Sequence, residues 1–214
     1  MKAFQNVDGG VIQSVRTYDI APTTAINAGQ VVKLANGLVV AAAAGETGEI
    51  LGIAAEHHSG VEDAINPRAN GPEITVYDAP GMVMQCRAPK ITATGGTATT
   101  ITAEGLANAA LTGGFVRLAK KADESTNTEA VGTVRKITAA AAGSVTVEEG
   151  GTPAEGDVYE IYPPMGFQGG NLSADGTALV LSATAEISLK VVQNAREGYI
   201  GLLATKHFLA NASN

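Results

Sequence analysis

Short β-branched runs separated by Gly, Pro, Asn and Asp predict an all-β chain, a small β-barrel or sandwich domain interrupted by an inserted second β module, with few or no helices. Three observations carry this. Asn36-Gly37, the strongest short hairpin signal, lies between Val31, Val32, Leu34 and Leu38, Val39, Val40. Alternating apolar and polar positions recur in EITVYD and AEISLKVV. No long stretch holds a 3.6-residue apolar period.

In chain order, Met1 to about Ile12 lacks any period and reads as an N-terminal arm, followed by a strand ending at Ile20 before Ala21-Pro22. The Asn36-Gly37 hairpin comes next, then a turn over Gly45 to Gly48 and a third strand from Ile50 to Ala55. His57 to Gly71 is a polar loop containing Asn66-Pro67. Glu73 to Asp78 puts Ile74 and Val76 on one face, and Ala79-Pro80-Gly81 breaks the run. Met82, Met84 and Cys86 then alternate with Val83, Gln85 and Arg87, which predicts two antiparallel strands around a turn. Five or six strands within the first 89 residues is the spacing of a small barrel or sandwich.

Composition changes after Pro89. From Ile91 to Val116 the one charged residue is Glu104, among Thr, Ala and Gly, and a short helix is expected over Ala103 to Leu111, capped by Thr102 and opposed by Gly105. Four strands follow, Phe115 to Ala119, Ala130 to Thr138, Ser144 to Glu148 and Asp157 to Tyr162, closed by Pro163-Pro164. Leu179 to Leu181, Ala185 to Val192 and Tyr199 to Ala204 are strands again; Ile187, Leu189 and Val191 share a face, with Ser188 and Lys190 pointing away. The layout read from this is a discontinuous β domain, residues 1–89 plus 165–214, carrying an inserted module at 90–164. Insertion at a loop whose ends lie close together is physically cheap. Two consecutive β domains are the other layout that the pattern allows.

Composition bounds function. A net charge of −7 and the absence of any Lys or Arg run argue against nucleic acid, whose binding rests on neutralising phosphates. Nowhere do eighteen apolar residues follow one another, and the N-terminus has no apolar run of signal length, so no membrane partner is expected and synthesis in the cytoplasm is. With 45% hydrophobic and 16% charged residues the chain folds but carries bland surfaces, of the kind that other copies or other proteins cover. The NLS and NAS triplets at Asn171 and Asn211 are read as chance matches to a glycosylation acceptor.

Catalysis or metal binding needs a nucleophile, acid or ligand beside a partner that tunes it. His57 and His58 are neighbours that point opposite ways on an extended chain, and His207 is distant, so a metal site is not expected. Cys86 beside Arg87 permits a lowered thiol pKa, against the simpler reading of a buried small apolar residue. Glu46 with Glu49, and Asp123 with Glu124, lie in turns where solvated charges belong, although paired carboxylates are what glycoside hydrolysis uses. GETGEILG runs from strand to strand and offers no helix N-terminus to a pyrophosphate. Lys120-Lys121 before Asp123-Glu124 is a self-compensating hairpin tip. No cofactor and no enzymatic activity are expected.

GQVVKLANGLVV, then EILGIAAE, a polar loop, and EITVYDAPGMVMQCRAP resemble the small β-barrel of the capsid decoration (cement) proteins of tailed bacteriophages, and the later FVRLAKKADESTNTEAVGTVRKI to GDVYEIYPP resembles β modules inserted in phage structural proteins. The two together cover about half the chain. The resemblance implies a structural protein on the virion exterior, bound to the outer face of the capsid, self-associating as a homotrimer, and cementing neighbouring copies of the major capsid protein. No contact residue transfers by motif. From the residues alone, Phe4, Val7, Val11 and Ile12 are the candidate capsid or subunit contacts, because Phe4 and Val7 are apolar on a segment with no local partner. Another virion component, such as a head fibre, a head-completion subunit or a tail protein, is the nearest alternative. A surface carbohydrate-binding module is the next, and it would have only Tyr18, Tyr77, Tyr159, Tyr162 and Tyr199 for aromatic platforms.

Overall fold

The computed structural model describes residues 1–6, 14–21, 23–60, 72–106, 109–181, 187–194 and 198–211. In chain order its strands are β1 (Lys2–Asn6), β2 (Val15–Asp19), β3 (Ala25–Ile26), β4 (Val31–Ala35), β5 (Leu38–Ala41), β6 (Gly52–Ala54), β7 (His58–Ser59), β8 (Glu73–Tyr77), β9 (Met82–Arg87), β10 (Lys90–Thr97) and β11 (Thr100–Ala103). They continue with β12 (Phe115–Lys120), β13 (Val134–Ala141), β14 (Ser144–Val147), β15 (Val158–Tyr162), β16 (Gly170–Leu172), β17 (Leu179–Leu181), β18 (Leu189–Asn194) and β19 (Tyr199–Ala204). A 3-10 turn at Ala109–Leu111 and one helical turn, α1 (Phe208–Asn211), are the helical elements among the described residues. The chain is all-β, as its sequence predicts.

Six strands close into a barrel in the order β10-β11-β14-β13-β12-β15. Its corners are the two longest strands. β10 pairs with β15 through Lys90 to Thr92, then with β11 from Ala93 on, across a bulge between Ala93 and Gly95. β13 likewise pairs first with β12, then with β14, across a bulge between Ile137 and Ala139. A bulge adds local twist and bends its strand, which lets one strand serve two walls. Ile91, Ile101, Val116, Leu118, Ile137, Val145, Tyr159 and Ile161 line the interior, each at most 6% exposed.

Residues on either side of the barrel build the rest. β9 and β19 pair at the centre of a four-stranded sheet, β1-β9-β19-β18. Its inner face, with Met84, Cys86, Leu189, Val191, Ile200 and Leu202, joins the barrel interior and Leu172 and Leu179 of the β16-β17 hairpin in one apolar cluster. The five-stranded sheet β2-β8-β6-β4-β5 has a separate core of Ile20, Ile26, Val32, Val39, Leu51, Ala54, Ile74 and Val76. This sheet curls until its outer strands meet: Ile20 bridges to Val39, and Ala21 N donates to Val39 O at 3.2 Å. Two local features shape it. The β4-β5 turn places Asn36 at φ 52° and Gly37 at φ 83°, the left-handed pair of a type I′ hairpin. Gly52 lies so close to β8 that a Cβ there would sit 1.9 Å from Tyr77 O.

Four expectations change. Residues 2–6 are not an unpartnered arm but an edge strand on β9, with Lys2 opposite Gln85 and a register shift between Ala3 and Gln5; the partner is simply remote in sequence. Val7, Val11 and Ile12 lie outside the described residues, and of Phe4 only the backbone, within β1, is described. EITVYD and MVMQCR do not form a hairpin. β8 pairs with β2 and β6, β9 with β1 and β19, and Ala79-Pro80-Gly81 carries the chain from one sheet to the other. In place of a helix over Ala103 to Leu111, β11 runs through Ala103 and a 3-10 turn forms at its far end. Ser188, expected to point away from the core, is 2% exposed.

Candidate functional site

The four strands of the β1-β9-β19-β18 sheet contain Lys2, Arg87 and Lys190 and no carboxylate, in a chain with 21 acidic and 14 basic residues. Alternation places these cations on the outer face, because Met84, Cys86, Leu189 and Val191 occupy the inner one. Lys2 and Arg87 converge on Tyr199, with Lys2 Nζ 5.8 Å and the Arg87 guanidinium carbon 4.3 Å from the ring centroid. The pairing explains the convergence. Lys2 stands opposite Gln85, two residues from Arg87, and Arg87 stands opposite Tyr199. A shallow cleft of about 310 Å³ opens there, lined by Met1, Lys2, Gln85, Cys86, Arg87, Thr177 and Tyr199. Asp175, two residues from Thr177, hydrogen-bonds Ser173 Oγ and Thr177 N at the cleft's end.

The cationic face continues onto the barrel wall. Lys90, Glu160 and Arg117 are cross-strand neighbours on β10, β15 and β12. Arg117 Nη1 donates to Glu160 Oε2 at 2.8 Å, and Lys90 Nζ lies 4.0 Å from Glu160 Oε1. Tyr162, fully buried, donates to the same Glu160 Oε2 at 2.8 Å and accepts from Gly198 N at 2.7 Å. Burial first, then the bond to Glu160, raises the Tyr162 phenol above its ordinary pKa. A Cβ at Gly198 would lie 3.4 Å from Glu160 Oε1 and 3.7 Å from Arg87 Nη1. Barrel and sheet are thus fastened by one buried tyrosine and one carboxylate, with Lys2, Arg87, Lys90 and Arg117 around the joint.

Two further polar networks lie inside the fold. Asp157 is fully buried and accepts from Ala122 N at 3.0 Å, Ala154 N at 3.1 Å and Asn127 Nδ2 at 2.9 Å. Asn127 Nδ2 also donates to Tyr159 Oη at 3.0 Å. Burial pushes the Asp157 carboxyl up, but the bonds from Ala122 N, Asn127 and Ala154 N outweigh it and hold the pKa below its ordinary value. Close by, Arg135 Nε lies 3.2 Å from Glu129 Oε1 in an ion pair with both side chains almost fully buried. Asp78, at the crossing from β8 to β9, accepts from Ser14 Oγ and the Tyr18 hydroxyl, with Arg16 Nε at 3.5 Å. The Tyr18 phenol is pushed up to about 12 by burial and by Asp78. These networks tie loops and strands together.

The residues singled out for chemistry stay apart from one another. Cys86 is 4% exposed, and burial pushes its thiol up to about 11, so it is an inert core residue and not an activated nucleophile. His58 Nδ1 sits 3.2 Å from Thr24 O and 3.1 Å from Gly60 N, while His57 Nδ1 faces Asn27 Oδ1 at 3.2 Å. Glu46 pairs with Lys33 at 2.6 Å and caps Gly48 N. Asp123 and Glu124 form an exposed turn. Among the described residues no three His, Cys, Asp or Glu side chains are placed to hold a metal ion, and no helix is long and apolar enough to cross a membrane. Tyr159 and Tyr162 are fully buried, which removes two of the five tyrosines as platforms for a sugar.

Sequence reasoning missed the cationic face, whose members stand at positions 2, 87, 90, 117 and 190 without a local run. The one signal that would have found it is the absence of Asp and Glu from four segments that turn out to be paired strands. Compared with known proteins, the chain matches no family model, no curated protein and no solved structure.

Proposed function

We propose that this chain is a structural virion protein that binds the outer surface of a tailed-bacteriophage capsid, self-associates and cements neighbouring capsomers. The observation that carries the reading is where the decoration-protein resemblance falls. GQVVKLANGLVV, EILGIAAE and EITVYDAPGMVMQCRAP supply β4, β5, β6 and β8, four of the five strands of the curled sheet with its separate core, and β9, which pairs in the four-stranded sheet. The stretch that resembles inserted phage modules supplies β12, β13 and β15 of the closed barrel. We further propose that residues 90–164 are a module inserted into a discontinuous domain. In support, all six barrel strands lie within 90–162, while β9 just before them pairs with β19 and β1. The shared apolar cluster and the Tyr162–Gly198 bond make the joint stiff.

Function in this reading is mechanical. An oligomer that touches several capsid subunits at once holds by multivalency even where each contact is modest. The test is to mix the purified chain with expanded heads of the phage whose genome encodes it. Saturable co-sedimentation and a higher disruption temperature of the heads are expected. Heads that neither retain the protein nor gain stability overturn the proposal.

A further inference from the structure

We propose that copies of this chain join head to tail, the cationic sheet face of one receiving the acidic mouth of another's barrel. This rests on the self-association in the reading above and names the surfaces that carry it. The receiving face holds Lys2, Arg87 and Lys190 on the sheet and Lys90 and Arg117 on the adjoining barrel wall, against Glu160 and Asp175. Stacking on Tyr199 orients the Arg87 guanidinium and leaves its N–H edge for carboxylates.

The acidic surface lies at the barrel end where three turns meet. Ala122 N and Ala154 N both bond Asp157, and Gly150 N bonds Ala98 O at 2.9 Å, which brings together the segments around 98, 122 and 148–157. Asp123, Glu124, Glu148, Glu149 and Glu155 are all exposed there, alongside Lys120, Lys121 and Lys136, and Lys121 Nζ is engaged by Asn127 O at 2.7 Å. One molecule therefore carries an excess of each sign on two surfaces that adjoin at a cleft lined by Lys90 and Glu155. A cationic face repels itself where it is centred on a twofold axis, so these charges favour a contact in which the cationic face of one copy meets the acidic mouth of another, and repeated in one direction that contact is heterologous. Such a contact closes into a ring or runs on as a chain, and a closed trimer is one of its solutions. Phosphate polymers are a poorer occupant, since the acidic mouth and the net charge of −7 repel them.

Sedimentation velocity on the full chain across protein concentration, at about 50 mM and about 500 mM salt, tests this. Wild type is expected to associate at low salt and to dissociate at high salt. Lys2→Glu/Arg87→Glu and Glu149→Lys/Glu155→Lys alter only exposed residues, and circular dichroism checks their folding. Each double variant alone is expected to lose about tenfold or more in association constant. An equimolar mixture of the two restores association as alternating chains or even-numbered rings, in which every reversed surface meets a complementary one, whereas a closed trimer cannot alternate and is not restored. A wild type that stays monomeric at every concentration overturns both the self-association reading and this inference. Association that survives both reversals, or that ignores salt, overturns the choice of surfaces alone.

Discussion

Removing the buried carboxylate of Asp157 is the sharpest perturbation of the barrel. Asp157 is fully buried and receives three N–H donors, from Ala122, Ala154 and Asn127, at 2.9 to 3.1 Å. A hydrogen bond to a charged group contributes about 1.5–3 kcal/mol, so three amount to about 4.5–9 kcal/mol if simply added. They share one acceptor group and the loops relax when it goes, which brings the expected cost of Asp157→Ala to about 3–5 kcal/mol. Asp157→Asn keeps the shape, but its amide faces donors on both sides in either orientation, so one bond is lost or opposed at a cost of about 1.5–3 kcal/mol. Urea unfolding at pH 7 measures both, and each variant is expected to keep the wild-type slope while its midpoint falls. The pH dependence supplies a second arm. The folded pKa lies below the ordinary aspartate value of about 3.9, so this stabilisation is fully present above that pH and is lost as pH falls through the lower folded value. The gap between wild type and Asp157→Asn therefore narrows below about pH 4. An Ala variant within about 1 kcal/mol of wild type, or a gap unchanged in strong acid, refutes the reasoning.

Tyr162→Phe removes the acceptor of Gly198 N–H and a donor to Glu160, and is expected to cost about 1–3 kcal/mol in the same unfolding assay while leaving the sheet content seen by circular dichroism intact. Cys86 is expected to resist iodoacetamide at pH 8 in the folded chain and to react at once in urea, since burial pushes its thiol up to about 11; rapid labelling of the native protein contradicts its placement. His207 is 5% exposed and its pKa is lowered by burial, with Asp78 and Glu49 and a bond to Leu51 acting in the opposite direction. A buried neutral histidine gives up stability as pH falls below about 6.5 towards its lower folded value, so the melting temperature of wild type is expected to drop between pH 7 and pH 5 more steeply than that of His207→Asn.

Local signals carried much of this fold. Asn36-Gly37 forced a type I′ turn, because few residues other than Asn and Gly adopt those positive φ values, and YIGLLA formed β19 over the expected residues. Signals that depend on a remote partner were silent. KAFQN has no strand pattern of its own, and β10 and β11 are written in Thr, Ala and Gly, so pairing with β9, β15 and β14 decided their conformation. Closure of the barrel depends on where the bulges in β10 and β13 fall, which composition does not show. The burial of the polar residues Asp78, Asn127, Asp157 and Glu160 has no local sign in the sequence, because their partners come from other strands and loops. The candidate contact surface was hidden for the same reason, since Lys2 and Arg87 meet at Tyr199 only once β1, β9 and β19 pair.

The most direct measurement of the central proposal is binding of the purified chain to expanded heads of the phage proposed to encode it, followed by sedimentation and by heating of the loaded heads. The account predicts uptake that saturates at a fixed number of copies per head and a disruption temperature that rises with occupancy. Protein that remains in the supernatant at every concentration, with heads no more stable than before, would contradict it.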